Sequence, residues 1–123
     1  MNVAHHMHYL AWFEMARTEW LRSAGTSYRD IEETRELQFP VIELAVRYKR
    51  PARYDDVLEV RTWLRDVRRS RMRFEYEILR HEDHDDRVNE VQLATGHTLH
   101  ACTGANGRAT RMPRSMMETL VSC

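Results

Sequence analysis

At Pro40 the spacing of apolar side chains changes from about 3.6 residues to two, and that switch constrains the fold more than any other feature. Before it, Tyr9, Trp12, Phe13, Ala16, Trp20 and Leu21 follow the i, i+3, i+4, i+7 pattern and predict a helix over residues 9–22. Leu10 and Met15 widen the stripe, leaving Glu14, Arg17, Thr18 and Arg22 as a narrow polar edge. Such a helix is expected to have other elements wrapped around it. Gly25 can end it in the left-handed conformation, and Ser27 could cap a short second helix over 28–36, which Pro40 would stop.

After Pro40, Ile42, Leu44, Val46 and Tyr48 alternate with Glu43, Arg47 and Lys49. Leu58, Val60, Thr62 and Leu64 alternate with Glu59, Arg61 and Arg65, and Met72, Phe74, Tyr76 and Ile78 with Arg71, Arg73, Glu75 and Glu77. Each run reads as a strand with one buried and one wet face, the pattern of an antiparallel sheet. A fourth strand is expected over 90–103, where Ala94 and Gly96 permit close backbone approach. Expected connections are 51–56, a short link at 66–68, and a solvated loop at 81–87 carrying His81, Glu82, Asp83 and His84. Pro113 opens a short terminal helix ending near Leu120. The predicted class is α+β, a strongly curved antiparallel sheet around a central helix.

With 123 residues and four glycines, a single domain over 1–123 with short connections is expected. Lys+Arg and Asp+Glu are both 19, so no net charge argues for nucleic acid or a membrane surface as partner. Lys49 is the sole lysine, and the arginines that make up the rest suit bidentate phosphate and carboxylate pairing. Cys102 and Cys123 make no disulfide framework, and no apolar run or basic leader marks a span or signal peptide, so a cytoplasmic location is expected.

Three stretches carry a resemblance. His5-His6-Met7-His8-Tyr9-Leu10-Ala11-Trp12-Phe13-Glu14-Met15-Ala16-Arg17-Thr18-Glu19-Trp20-Leu21 is one. Pro40-Val41 with Arg47-Tyr48 and Arg50-Pro51-Ala52-Arg53-Tyr54-Asp55-Asp56 is the second, and Arg69-Ser70-Arg71-Met72-Arg73-Phe74-Glu75-Tyr76 the third. Together they resemble the hotdog-fold acyl-CoA thioesterases, in the 4-hydroxybenzoyl-CoA thioesterase-like group that includes the Tol–Pal-associated branch. The resemblance implies a hotdog fold, an acyl-CoA substrate, no cofactor, and a homodimer or homotetramer with sites at the seam. It also implies a first strand and a catalytic aspartate shortly before the segment matched by residues 2–6. Counted back from His6, both fall before Met1, so the first strand is missing or shortened. A start set too late, catalysis without that carboxylate, and a chain that does not catalyse all stay open.

Thioester hydrolysis needs a polarised carbonyl and an activated water. The unpaired N–H groups at the helix start suit an oxygen gaining charge, and by resemblance the donor is at His6 or its neighbour. His6 is one candidate base, because imidazole titrates near neutrality. Glu14 is the other, as a carboxylate half-buried by the sheet, with a pairing to Arg17 as its structural alternative. His5 and Tyr9 are expected to line the substrate site. Arg68, Arg69, Ser70 and Arg71 fall where the family binds the nucleotide phosphates, and guanidinium forks and a hydroxyl fit that task.

His5, His6 and His8 have no metal-ligand spacing, and no metal is expected. His97 and His100 sit on opposite faces of one strand, which predicts one surface and one core histidine. Trp63, on the wet parity, is a candidate subunit contact. The expected activity is acyl-CoA hydrolysis; the alternatives are an acyl-carrier-protein thioesterase and a silent acyl-thioester-binding scaffold.

Overall fold

A computed structural model describes residues 6–23, 36–52, 57–84 and 87–121. In chain order these form α1 (His6–Ser23), β1 (Val41–Tyr48), β2 (Leu58–Arg68), β3 (Arg71–His84), β4 (Arg87–Ala101) and α2 (Arg114–Val121). The strands make one antiparallel sheet in the order β1-β4-β3-β2. The expected helix over 28–36 lies outside the described residues except at Glu36, which is non-helical with φ 54°.

The inward parity of β3 is as its alternation requires: Met72, Phe74, Tyr76 and Ile78 are all buried. α1 crosses this face diagonally. Tyr9 meets Tyr48 of β1 edge to face, Phe13 stacks on Tyr76 of β3 at 4.3 Å, and Trp20 meets Phe74 further along. Gly96 makes the crossing possible. A Cβ there would lie 2.7 Å from the Ala45 carbonyl oxygen and 2.7 Å from the Phe13 ring, so only glycine lets the helix down onto β4.

Two bulges alter the expected connections. The register slips between Leu64 and Asp66, so Leu64 and Val67 both pack against the core although they are three residues apart. Residues 66–68, expected as a link, therefore continue β2, and Arg69-Ser70 make the turn. The second slip, between Ile78 and Leu79, leaves Leu93 of β4 without an opposite residue, and Leu93 and Ala94 are both buried there. The hairpin expected as a loop over 81–87 is instead strand up to the pair His84↔Arg87, because the β3–β4 ladder runs on. The terminal helix is as expected, with Met116 and Leu120 buried. The chain before it is tied to the β2–β3 turn by a backbone bond from Met112 N–H to the Arg69 carbonyl, and by Arg69 Nε donating to the Met112 carbonyl at 3.0 Å.

Two expectations about burial need correction. α1 is not enclosed all round: Tyr9, Phe13 and Leu21 are buried, whereas Leu10 and Met15 are exposed. β1 likewise has no buried face. Ile42 is 50% exposed and Leu44 44%, and only Val46 packs against the core. β1 is an edge strand of the sheet, and among the described residues its apolar parity is largely left exposed.

Candidate functional site

α1 begins at His6, three residues before the sequence pattern suggests. Its first N–H groups have no partner within the helix, and no acidic side chain stands in the first turn to neutralise the positive end. An aromatic collar surrounds the start: Tyr9 lies 5.0 Å from Trp12 and 4.9 Å from Tyr48, and His8 is edge-on to Trp12 at 6.1 Å. Tyr9 is buried among these rings, so it forms the wall of the helix start rather than an open contact. His5 lies outside the described residues; His6 opens the helix, and the placement of its side chain lies outside the description. Glu14 is exposed, not half-buried by the sheet as expected, and Arg17 reaches Tyr76. The low-dielectric setting invoked for a Glu14 base is therefore absent in the single chain.

The candidate phosphate ligands divide. Arg68 and Arg71, which pair across the end of β2 and β3, line a recess of about 250 Å³ with Asp66, Arg73 and Leu99. Arg69 does not join them, because it is committed to the Met112 carbonyl, and Ser70 is exposed at the turn. Arg73 was missed from the sequence. Its shared parity with Arg71 was the available signal, since residues i and i+2 of a strand face one way. Arg73 Nε also donates to Glu75 at 2.8 Å.

The outer face of the sheet is an ion-pair lattice. Arg61 bridges Glu59 at 3.1 Å and Glu90 at 2.6 Å, and His81 meets Glu59 at 2.7 Å. Hydrogen bonds from Arg61 and then His81 hold the Glu59 carboxyl below its ordinary range. Glu59, His81 and Glu90 are close enough together to suggest a cation, but the Arg61 guanidinium already joins both carboxylates. The two β4 histidines fall as expected: His97 faces outward onto Glu43 at 2.9 Å, and His100 is buried.

Trp63 is exposed, as its parity predicts, and lines an open groove of about 840 Å³ beside the outer edge of β2. Trp12 and Trp20 of α1 line the opposite wall, so all three tryptophans of the chain border it.

Residues 1–120 match the thioesterase-like superfamily. A putative esterase of Aquifex aeolicus is 30% identical over 119 residues, covering 97% of this chain and 85% of the relative. An acyl-CoA thioester hydrolase of Escherichia coli is 36% identical over 92 residues, or 75% of this chain and 66% of its own length. The chain spans less than two thirds of the length of the curated acyl-CoA thioesterases it matches. Among solved structures, a DHNA-CoA thioesterase from Staphylococcus aureus superposes with a TM-score of 0.83 at 28% identity, over 99% of this chain and 79% of that one. No helix among the described residues is long and apolar enough to cross a membrane.

Proposed function

The chain belongs to the thioesterase-like superfamily, and from that premise we propose how it hydrolyses acyl-CoA thioesters to the free acid and CoA. The observation that carries the substrate assignment is the convergence of Arg68, Arg71 and Arg73 on one recess, a cluster of guanidinium groups suited to the phosphates of CoA. The N-terminus of α1 receives the carbonyl oxygen as water adds to the thioester carbon, the first-turn N–H groups holding the developing negative charge. His6, at the helix start, takes the proton from that water and returns it to the sulfur as the C–S bond breaks, so that CoA leaves as the thiol. Glu14 is the alternative base.

The two halves of this machinery do not meet within one chain. The arginines occupy the outer parity of β2 and β3, opposite the face that α1 covers. The start of α1 stands at Tyr48, level with Ala94 and Ile78, and Ile78 is seven residues along β3 from Arg71. At roughly 3.3 Å per residue the separation is about 23 Å along the strand. This supports a homodimer or homotetramer in which a neighbouring copy completes each site. The bare edge of β1, with Val41, Ile42, Leu44 and Tyr48 exposed, supports a seam there, and Trp63 supports a second contact. A cytoplasmic location is part of the same reading.

Release of CoA thiol from short-chain, long-chain and aromatic acyl-CoAs tests the proposal, with the parent beside His6→Ala and Arg71→Ala. We expect His6→Ala to lower kcat about 100-fold. Arg71→Ala should raise KM about 10-fold with kcat close to the parent, as loss of one charge-assisted phosphate contact predicts. No turnover by the parent on any acyl-CoA would sink the reading, in favour of an acyl-carrier-protein substrate or a silent binder. Turnover unchanged by His6→Ala would move the base to Glu14.

A further inference from the structure

Beneath α1 a single file of hydrogen bonds crosses the buried face of the sheet. Arg17 Nη1 donates to Tyr76 Oη at 3.0 Å, Tyr76 Oη meets Thr98 Oγ1 at 2.7 Å, and Thr98 Oγ1 meets His100 Nε2 at 2.8 Å. His100 Nδ1 then reaches the Phe39 carbonyl at 2.9 Å. Tyr76, Thr98 and His100 are each about 1% exposed. The two ends fix every proton in between. A guanidinium only donates, so Tyr76 accepts there and spends its own hydrogen on Thr98. A backbone carbonyl only accepts, so His100 carries its proton on Nδ1, and the bare Nε2 accepts from the Thr98 hydroxyl. Only a neutral imidazole completes the file; a proton on Nε2 would face the Thr98 hydroxyl with a second donor and displace its hydrogen.

Tyr76 is also the seat of the helix. Its ring lies under Phe13 at 4.3 Å and 15°, and its hydroxyl takes Arg17, one turn further along the same face of α1. Phe13 cannot slide, because it is pressed against Gly96. Residues 13 and 17 thus help to set the axial position and tilt of α1, together with Tyr9 on Tyr48 and Trp20 on Phe74. From Arg17 back to His6 is eleven residues, about 16 Å of helix, so a tilt of about 10° at Arg17 would move the first turn by about 3 Å. Misplacement by as little as about 1 Å can cost a factor of 100 in rate.

We propose that Tyr76, Thr98 and His100 are positioning residues for thioester hydrolysis, a buried relay that holds α1 by Arg17 in the register that aims its N-terminal N–H groups at the carbonyl oxygen. This rests on the reading of α1 given above. The residues touch no substrate; their effect is on where the helix start stands.

The test compares the parent with Tyr76→Phe, which removes only the hydroxyl, Thr98→Val, and Thr98→Ser, which keeps the hydroxyl. Steady-state kinetics on an acyl-CoA that the parent hydrolyses are measured below the melting transition of each variant. We expect Tyr76→Phe and Thr98→Val to lose about 10-fold in kcat with KM within twofold, and Thr98→Ser to stay within twofold of the parent in both. Loss of kcat in Thr98→Ser equal to that in Thr98→Val, or kcat within twofold of the parent in both Tyr76→Phe and Thr98→Val, would overturn the positioning role while leaving the hydrolase reading intact. A parent without turnover would overturn both, and that outcome is recognised before any variant is made.

Discussion

Acidification should destabilise the fold through His100 in particular, by an amount that follows from its surroundings. Burial pushes its imidazole down from 6.5 to about 4; the Phe39 carbonyl opposes this by bonding the ring N–H, and the nearby Arg17 charge adds to the lowering. The unfolded chain takes up a proton near pH 6.5 whereas the folded chain resists until about pH 4. Stability from this group is thus complete above 6.5 and is lost as pH falls through the folded value. Integrating the linkage gives a loss of about 2 kcal/mol by pH 5 and about 3 kcal/mol by pH 4. That is a large part of the 5–15 kcal/mol typical of a domain. The assay is urea unfolding at a series of pH values for the parent and for His100→Gln, which cannot titrate. Other groups act on both proteins, so the difference between the curves isolates His100. The parent should lose its margin over the variant by about 1 kcal/mol per pH unit on average between 6 and 4. A direct NMR titration of the His100 ring serves if the variant unfolds. Parallel curves, or a ring titrating near 6.5, would refute both the burial argument and the neutral imidazole that the hydrogen-bond file requires.

Two further outcomes are expected. Gly96→Ala should destabilise the fold by about 3 kcal/mol, because the new methyl group meets the Ala45 backbone carbonyl as well as the Phe13 ring, and overpacking of this kind costs roughly 1–3 kcal/mol; thermal unfolding within 2 °C of the parent would contradict the contact. Ile42→Glu with Leu44→Glu should lower the assembly seen by sedimentation equilibrium by at least one step, from dimer to monomer or tetramer to dimer, with melting of the monomer fold little changed, since both side chains are already half-exposed; an unchanged mass would move the seam away from β1.

What could be read from the residues divides along a physical line. The inward faces of α1 and β3 were legible because each is set within its own element by period and parity, as Phe13, Met72, Phe74, Tyr76 and Ile78 show. Gly96 was legible for a related reason, because a glycine inside a strand pattern announces close approach. The bulges after Leu64 and Ile78 were not, since a bulge is a property of two strands in register and leaves no mark on either alone. The buried relay was hidden for the same reason: Tyr76 and Thr98 are 22 residues apart, and Arg17 read as part of a polar edge until the sheet was placed against it. β1 shows the limit from the other side. Its alternation of Ile42, Leu44, Val46 and Tyr48 with charged residues requires a covered face, yet in the folded chain that face is largely bare. An apolar parity that the chain itself does not bury has a cost unless something else covers it. The pattern in β1 thus fits a strand covered in the proposed assembly, and the divided site, with arginines on one face and the helix start on the other, supports the same proposal on separate grounds.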